Sequence, residues 1–202
     1  MPLNFLGFVY REMKGSMANI DAMFALLRVQ PAINDGKQAQ PLALDQGEIR
    51  FDNVGFHYHP ERQILSGVSF TVAAKQKVAI VGSSGSGKST IMKLLFRFYD
   101  VTSGQILIDG QNIADVTQAS LRRAISVVPQ DTVLFNASIY ENIQYGNVNA
   151  SEGEVNEAIR MAYLDDFIGQ LPDGGDTQVG ERGLKLSGGE KQRVAIARAI
   201  LK

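Results

Sequence analysis

The sequence predicts an α/β fold, and three observations indicate it. Residues 77–81 are a short continuous run of apolar residues, typical of a strand that is buried on both faces. A glycine-rich loop and then a helical pattern follow this run directly, which gives a strand–loop–helix unit. Residues 48–56 and 65–72 alternate between apolar and polar side chains, which predicts two strands of a half-exposed antiparallel sheet.

The first 47 residues follow a different pattern from the rest of the chain. Residues 11–29 have apolar side chains every three or four positions, which predicts an amphipathic helix. The apolar face of this helix contains Met13, Met17, Ile20, Phe24 and Leu27. Pro31 ends the pattern, and residues 31–47 hold prolines, glycines and polar residues that are typical of a linker.

Three further patterns lie downstream of the glycine loop. Asp109-Gly110 stands between apolar residues and predicts a hairpin turn. Residues 124–129 are a second short apolar run and predict another buried strand. Residues 151–171 have helical spacing, and we interpret Asp165 and Asp166 within them as solvated charges at a helix end. The apolar positions of this segment are Val155, Ile159, Ala162, Tyr163 and Phe167.

The composition excludes several classes of function. The 202 residues include 20 basic and 21 acidic side chains, so the net charge of −1 gives no electrostatic reason to expect a nucleic acid partner. The absence of cysteine excludes disulfides, zinc–thiolate sites and thiol nucleophiles. The sequence has no run of about 18 apolar residues that would predict a complete transmembrane helix. The first ten residues lack the basic start and cleavage site of a signal peptide.

Residues 82–90, GSSGSGKST, match the phosphate-loop pattern G-x-x-x-x-G-K-[ST]. Glycines allow the backbone to wrap closely around phosphate oxygens, and the following helix adds the positive end of its dipole. Lys88 should reach the β and γ phosphates, and the Ser89 hydroxyl should be a Mg²⁺ ligand. The predicted nucleotide-contacting residues are Gly82, Ser83, Gly85, Ser86, Gly87, Lys88, Ser89 and Thr90. A chance match is the alternative, and the strand–loop–helix context argues against it.

A second motif, LSGGEKQR, occupies residues 186–193 about a hundred residues downstream. Ser187, Gly188 and Gly189 open a segment with helical spacing, and a helix that begins in this way offers a second anion-binding terminus. The alternative is an ordinary serine N-cap followed by a turn. Because the phosphate loop is also present, we favour an anion-binding role.

Together these two motifs resemble the nucleotide-binding domain of ABC transporters, and the resemblance covers residues 48–202. It implies a P-loop NTPase core with an antiparallel β subdomain and a helical subdomain that bears the 186–193 signature. It also implies ATP and Mg²⁺ as cofactors. Tyr58 matches the aromatic residue that stacks on adenine in this family, although a strand-end tyrosine is also typical of plain packing. Gln130 matches the glutamine near Mg²⁺ and the attacking water.

The resemblance assigns catalytic roles to Lys88, Gln130 and Ser187, and metal contacts to Ser89 and Gln130. It implies a head-to-tail dimer in which each ATP lies between the Lys88 loop of one copy and the Ser187-Gly188-Gly189 segment of the other. TQVGERG, at residues 177–183, matches a loop that contacts the membrane domain in exporters, with Glu181 in the contact. A surface turn is the alternative for that loop.

The N-terminal residues narrow the resemblance. PLNFLGFVYREM followed by IDAMFALL, within residues 1–30, looks like the end of a last transmembrane helix and its cytoplasmic extension. A generic amphipathic helix is the alternative. The segment is most similar to mitochondrial and proteobacterial half-transporters linked to heavy-metal, glutathione and iron–sulfur export. A membrane protein is therefore expected, with this domain on the cytoplasmic or matrix face and with its own membrane-spanning domain and a second copy as partners.

In this family a further buried strand, the Walker B strand, ends in aspartate and glutamate, and a histidine follows later. The sequence ends at Lys202, before that strand, so we expect a domain that is incomplete at its C-terminus and lacks the general base. His57 and His59 precede the phosphate loop and do not match the late histidine. The isolated chain is expected to fold poorly, to bind MgATP weakly and not to hydrolyse it.

Three alternatives to a transport-coupled ATPase remain open. A soluble ABC-type ATPase acting on DNA or ribosomes would need a basic surface or coiled-coil arms, and the sequence indicates neither. A non-catalytic nucleotide-binding remnant fits a chain without the Walker B acids. A kinase or GTPase of another P-loop class is disfavoured by the 186–193 motif.

Overall fold

The computed structural model describes residues 2–180 and 185–202. By its internal contacts the chain forms two units, Met1–Asp35 and Gly36–Lys202. The first contains one continuous helix, α1 (Pro2–Leu27), so the helix predicted over residues 11–29 is confirmed and begins earlier. Large apolar side chains along α1 are exposed within its unit, among them Phe5, Met17 and Leu27. Among the described residues, no helix combines the length and hydropathy of a membrane span.

An antiparallel sheet begins the second unit. Strands β1 (Ile49–His59) and β2 (Arg62–Val72) form a hairpin, β3 (Ser103–Ile108) pairs with the other edge of β1, and the short β4 (Gln111–Asn112) follows. The prediction of two half-exposed antiparallel strands is therefore confirmed. The register shifts within β1 beyond Phe51, and Gly104 of β3 passes so close to the Asn53 carbonyl that a side chain would collide there.

One face of this sheet packs on helix α2 (Lys88–Leu95), whose Ile91, Leu94 and Leu95 are buried. The next helix, α3 (Gln118–Ala124), adds the fully buried Leu121 to the same core. Phe51, Val54 and Phe56 contribute from β1, and Ile106 and Ile108 contribute from β3. The sheet thus fixes α2, the helix that follows the predicted phosphate loop.

A second core is mainly helical. It contains α4 (Ile139–Gln144), α5 (Glu152–Met161), α6 (Asp165–Gly169) and α7 (Gly188–Leu201), with a short ladder between β5 (Ala137–Ser138) and β6 (Gln178–Val179). A single turn of 3₁₀ helix at Gly174–Asp176 precedes β6. Capping boxes at Ser138, Ser151 and Ser187 begin α4, α5 and α7, because each serine and the glutamate three residues later satisfy each other's backbone N–H groups.

The helical spacing predicted over 151–171 is divided between α5 and α6. Val155, Ile159 and Ala162 are buried as expected. The spacing predicts Tyr163 on the apolar face, and this is wrong: its φ of 55° breaks the helix, and its side chain is 79% exposed. Leu164 takes the buried position instead. Asp165 and Asp166 are exposed in the first turn of α6, as predicted.

The two predicted buried strands at 77–81 and 124–129 are not strands in the structure. Val81 is 88% exposed, and Val78 and Val127 are about half exposed. A strand requires a neighbour to complete its hydrogen-bond ladder. Within residues 2–180 and 185–202, neither segment belongs to a sheet. The prediction of burial is therefore wrong for both apolar runs, because no sheet interior forms around them among the residues that the structure describes.

The Asp109-Gly110 hairpin is confirmed, with φ values of 48° and 76° that suit the turn and with Ile108 paired to Gln111 across it. Asp109 has a second role that its position in a turn did not predict. Its Oδ2 accepts hydrogen bonds from the backbone N–H groups of Asp45, Gln46 and Gly47 at 2.9, 3.2 and 3.0 Å, and Oδ1 accepts one from Glu48 at 2.9 Å. These bonds, led by those from Asp45 and Gly47, lower the pKa of the Asp109 carboxyl below its ordinary 3.8.

We expect Asp109→Asn to lower the unfolding free energy at neutral pH, because a neutral amide accepts these four bonds more weakly than a carboxylate. A depressed native pKa stabilises the fold fully above the ordinary value of 3.8, and that stabilisation is lost as the pH falls through the lower native value. The difference in urea midpoint between wild type and Asp109→Asn should therefore shrink below about pH 4.

Asp45→Asn is the control, because its backbone N–H still donates to Asp109 while its own side chain changes. The control midpoint should follow wild type at both pH values. A midpoint difference for Asp109→Asn that stays constant from neutral pH to acid would contradict the assignment.

Candidate functional site

The glycine loop of residues 82–87 runs directly into α2, as the motif predicts. Gly85 and Gly87 have φ values of 81° and 94°, in the left-handed region that favours glycine. A Cβ on Gly87 would also lie only 2.8 Å from the Leu65 Cδ2 atom of β2. Backbone conformation and close packing therefore both require glycine at position 87.

Lys88 lies back across this loop. Its Nζ donates hydrogen bonds to the backbone carbonyls of Gly82 and Ser83, at 2.8 and 2.7 Å. Ser86 N–H donates to the same Ser83 carbonyl at 3.3 Å, which closes the turn. The ammonium group is thus held over the loop by two neutral acceptors. Anionic oxygens would attract it more strongly than carbonyls do.

The residues after Lys88 differ in exposure. Ser89 is exposed in the first turn of α2, so its hydroxyl is accessible from the loop side. Thr90 is buried, and its Oγ1 lies 3.3 Å from the hydroxyl of Tyr58. Tyr58, near the end of β1, is 37% exposed. The structure therefore brings Tyr58 beside the helix that the glycine loop begins.

Ser187, Gly188 and Gly189 form the exposed start of α7. Ser187 Oγ accepts the N–H of Glu190 at 3.4 Å, and Glu190 Oε2 accepts the N–H of Ser187 at 2.6 Å, so the serine is an N-cap. A Cβ on either glycine would meet nothing within 4 Å. The capping interpretation is therefore right, and it leaves open space around the first turn of a 14-residue helix.

Gln130 is exposed and lies near this second motif in its own chain. Gln130, Asp131 and Thr132 line a cavity of about 260 Å³ together with Gly188, Lys191 and Gln192 of α7. The predicted site residues therefore form two groups: the glycine loop with Tyr58, and Gln130 with the start of α7. The loop predicted over residues 177–183 is described as far as Gly180, and Glu181 lies outside the described residues.

Asn142 and Arg198, which no sequence pattern indicated, connect the segment after Gln130 to α7. Asn142 is fully buried; its Oδ1 accepts the Phe135 N–H at 2.9 Å, and its amide donates to the Ser138 carbonyl at 2.9 Å. Arg198 donates to the Asn142 carbonyl at 2.6 Å and to the Val133 carbonyl at 2.9 Å. Burial lowers the pKa of Arg198, and its guanidinium lies 5.5 Å from the centre of the Phe135 ring.

This network joins the last part of α7 to the segment that follows Gln130. The bonds join residues 56 to 65 positions apart, which is why local periodicity did not reveal them. The available signal was weak: a basic residue within the apolar spacing of the last predicted helix.

We expect Arg198→Lys to lower the unfolding free energy by about 1 to 3 kcal/mol, because a lysine cannot reproduce the planar fork that reaches both carbonyls. Arg160→Lys is the matched control: Arg160 is exposed, and in the described part of the chain its ion pair is with Glu157 on its own helix. That change should stay within about 0.5 kcal/mol. Equal effects of the two substitutions in urea unfolding would contradict the role given to Arg198.

Comparisons with known proteins agree with the interpretation of the glycine loop and the 186–193 motif. Residues 65–202 match the family model described as ABC transporter. The chain is 55% identical over 202 residues to the mitochondrial iron-sulfur clusters transporter ATM1 of Yarrowia lipolytica, covering 100% of this chain and 28% of that protein. It is 58% identical over 204 residues to the mitochondrial iron-sulfur clusters transporter ABCB7 of Rattus norvegicus, covering 100% of this chain and 27% of that protein.

A solved structure is also similar. A bacterial Atm1-family ABC exporter with ATP bound aligns with a TM-score of 0.91 and 55% identity, covering 99% of this chain and 35% of that one. The chain therefore spans between about a quarter and a third of the proteins it resembles. The predicted mixed α/β fold with its antiparallel sheet is confirmed by this likeness and by the family match.

Proposed function

The chain belongs to the ABC transporter family, and from this premise we propose that it binds MgATP as the nucleotide-binding part of an exporter. The observation that best supports binding is the Lys88 ammonium, held over the glycine loop by the Gly82 and Ser83 carbonyls. A cation fixed above a left-handed glycine loop at a helix N-terminus is suited to phosphate oxygens.

Nucleotide binding would proceed by exchange of partners at the loop. Lys88 Nζ would leave the two carbonyls and donate hydrogen bonds to the β and γ phosphates. The phosphates would also accept hydrogen bonds from the backbone N–H groups of the loop and the first turn of α2. The adenine would stack on Tyr58, which lies beside that turn through Thr90. The loop glycines permit this approach because they leave no side chain between the backbone and the ligand.

Magnesium fits the oxygen ligands that the chain offers. Among the described residues no cluster of three or more acidic or histidine side chains could hold a metal alone. Mg²⁺ in nucleotide sites commonly keeps waters and relies on phosphates and one or two protein oxygens. The exposed hydroxyl of Ser89 would supply one of those oxygens. Gln130, which lies with the start of α7 in this structure, would supply another only after the two groups of site residues approach each other. When bound, the ion would neutralise charge on the β and γ phosphates.

A second copy of the chain would complete the site. The Lys88 loop and the Ser187-Gly188-Gly189 segment are both exposed, and each contains a helix N-terminus suited to anions. In a two-fold dimer the loop of one copy can face the α7 terminus of the other, and symmetry then repeats the contact. Each ATP would be held between the two, with Ser187 contacting the γ phosphate and Lys88 stabilising the charge that develops there.

Hydrolysis needs a base that activates water. Asp165 and Asp166 follow apolar residues and so superficially resemble acids at the end of a strand. They are exposed in the first turn of α6, where their negative charge favours the helix N-terminus. Gln130 can orient a water but is a poor base, since its amide does not take up a proton near neutral pH. We therefore expect these 202 residues to bind ATP without turning it over, and we place hydrolysis in the longer proteins of the family.

The exporter assignment rests on similarity over the whole chain. Several of the most similar relatives are described as iron-sulfur clusters transporters, and the similar solved structure as an Atm1-family exporter. By that likeness, closure of the nucleotide dimer would drive transport by membrane helices, with the Gln130 segment passing the movement on. The domain would lie on the cytoplasmic or matrix face of the membrane.

We expect Lys88→Ala to weaken MgATP binding at least about tenfold, because it removes a charge-assisted contact to the phosphates. Isothermal titration calorimetry with the 202-residue chain measures this directly. Lys37→Ala is the matched control, since Lys37 is an exposed lysine of the same unit outside the loop. An affinity that does not change in Lys88→Ala would contradict phosphate binding at this loop.

A further inference from the structure

Two aromatic side chains contact the ring of Tyr58. The Phe56 ring lies 4.8 Å away and the Tyr99 ring 5.1 Å away, centre to centre, and both stand at 87° to it. Phe56 and Tyr99 also contact each other, at 5.6 Å. Edge-to-face contacts of this kind depend strongly on angle, so a pair of them restricts how the ring can rotate.

Helix α2 contributes two further contacts to the same ring. The Thr90 hydroxyl lies 3.3 Å from the Tyr58 hydroxyl, and Lys93 Nζ lies over one face of the Tyr58 ring, 5.5 Å from its centre. Tyr58 nevertheless keeps 37% of its surface exposed. A ring held by several neighbours while part of its surface stays open is suited to receive another flat group.

Phe56 and Tyr99 differ in what else they do. Phe56 is 3% exposed and belongs to the hydrophobic core of the sheet. Tyr99 is 42% exposed and stands outside that core, and its described ring contacts are those with Phe56 and Tyr58. Core packing therefore explains Phe56, but it does not explain an exposed tyrosine placed against Tyr58.

The backbone that bears Tyr99 is held firmly. Arg97 has a φ of 50° and is buried; its Nε donates to Asp100 Oδ1 at 2.9 Å and its Nη1 to the Val116 carbonyl at 3.0 Å. Arg122 donates to the Arg97 carbonyl at 3.0 Å. These bonds fix the turn on both sides of Tyr99, so its ring is presented in one place.

We propose that Tyr99 is a positioning residue for the nucleotide base, because its ring holds Tyr58 in the orientation that a base can stack upon. This inference rests on the proposed function, in which Tyr58 is the stacking platform. Tyr99 acts through Tyr58, and its effect is confined to ligands that have a base. In the proposed function the phosphates are held by Lys88 and the glycine loop, whereas the ring contacts of Tyr99 within the described residues are with Phe56 and Tyr58.

Two ligands separate the base from the phosphates. Calorimetry with the 202-residue chain and Mg²⁺ gives the affinity for ATP and for inorganic tripolyphosphate, which has no base. Tyr99→Leu should weaken ATP binding about threefold to tenfold, and the affinity for tripolyphosphate should not change. The loss for ATP should not exceed the loss in Tyr58→Leu. Tyr99→Phe keeps the ring and should retain wild-type affinity. Tyr99→Met is a second variant without a ring, in case the leucine variant does not fold.

Tyr145→Leu is the matched control, because Tyr145 is an exposed tyrosine whose described ring contact is to Phe135 in the helical part. It should bind both ligands as wild type does. In a Tyr58→Leu background, adding Tyr99→Leu should produce no further loss, since the residue that it positions is already absent. A general effect on folding would not depend on the Tyr58 ring in this way.

Several outcomes would overturn the proposal. Equal losses for ATP and tripolyphosphate in Tyr99→Leu would show that Tyr99 acts through the fold, and no loss for either would show that it has no role. If wild type binds tripolyphosphate as tightly as ATP, the base is not held, and the inference fails while phosphate binding stands. If wild type binds neither ligand, the proposed function fails and the inference fails with it.

Discussion

The contact between the β1–β2 hairpin and the first turn of α2 determines where the candidate nucleotide site lies. A Cβ on Gly87 would lie 2.8 Å from the Leu65 Cδ2 atom, so Leu65 would have to shift, and Tyr58 reaches Thr90 one turn later. The hairpin is itself held by a core shared with α2, through Val54, Phe56 and Leu94 among others. Tyr58 and the glycine loop are therefore parts of one packed structure, so their separation does not depend on a flexible connection.

The second half of the candidate site depends on polar contacts. Ser187 caps α7, and Arg198 near the other end of the same helix is bound to the carbonyls of Val133 and Asn142. Asn142 in turn holds the backbone of Phe135. Because buried polar groups are costly when unpaired, these bonds favour one arrangement of α7 and the segment after Gln130. A rigid connection of this kind is what a nucleotide-driven movement would need.

Local patterns predicted the features that local forces determine. The glycine loop and the Asp109-Gly110 turn each depend on a few neighbouring residues, and the structure has both. It also has the serine cap at Ser187, which was the alternative to an anion-binding start of α7. The prediction of strands at 77–81 and 124–129 was wrong. An apolar run indicates a preference for burial, whereas a strand also needs a neighbouring strand to bond with, and sequence spacing does not reveal one. Asp109 and Arg198 act across 56 to 65 residues and Tyr99 acts through ring geometry, and no periodicity reveals such contacts.

A crystal structure of the chain with Mg²⁺ and a non-hydrolysable ATP analogue would show whether the glycine loop binds the phosphates of ATP through Lys88. Lys88 Nζ should leave the Gly82 and Ser83 carbonyls and lie within hydrogen-bond distance of the β and γ phosphate oxygens. A nucleotide bound elsewhere, with Lys88 still on the two carbonyls, would show that this loop does not bind phosphate.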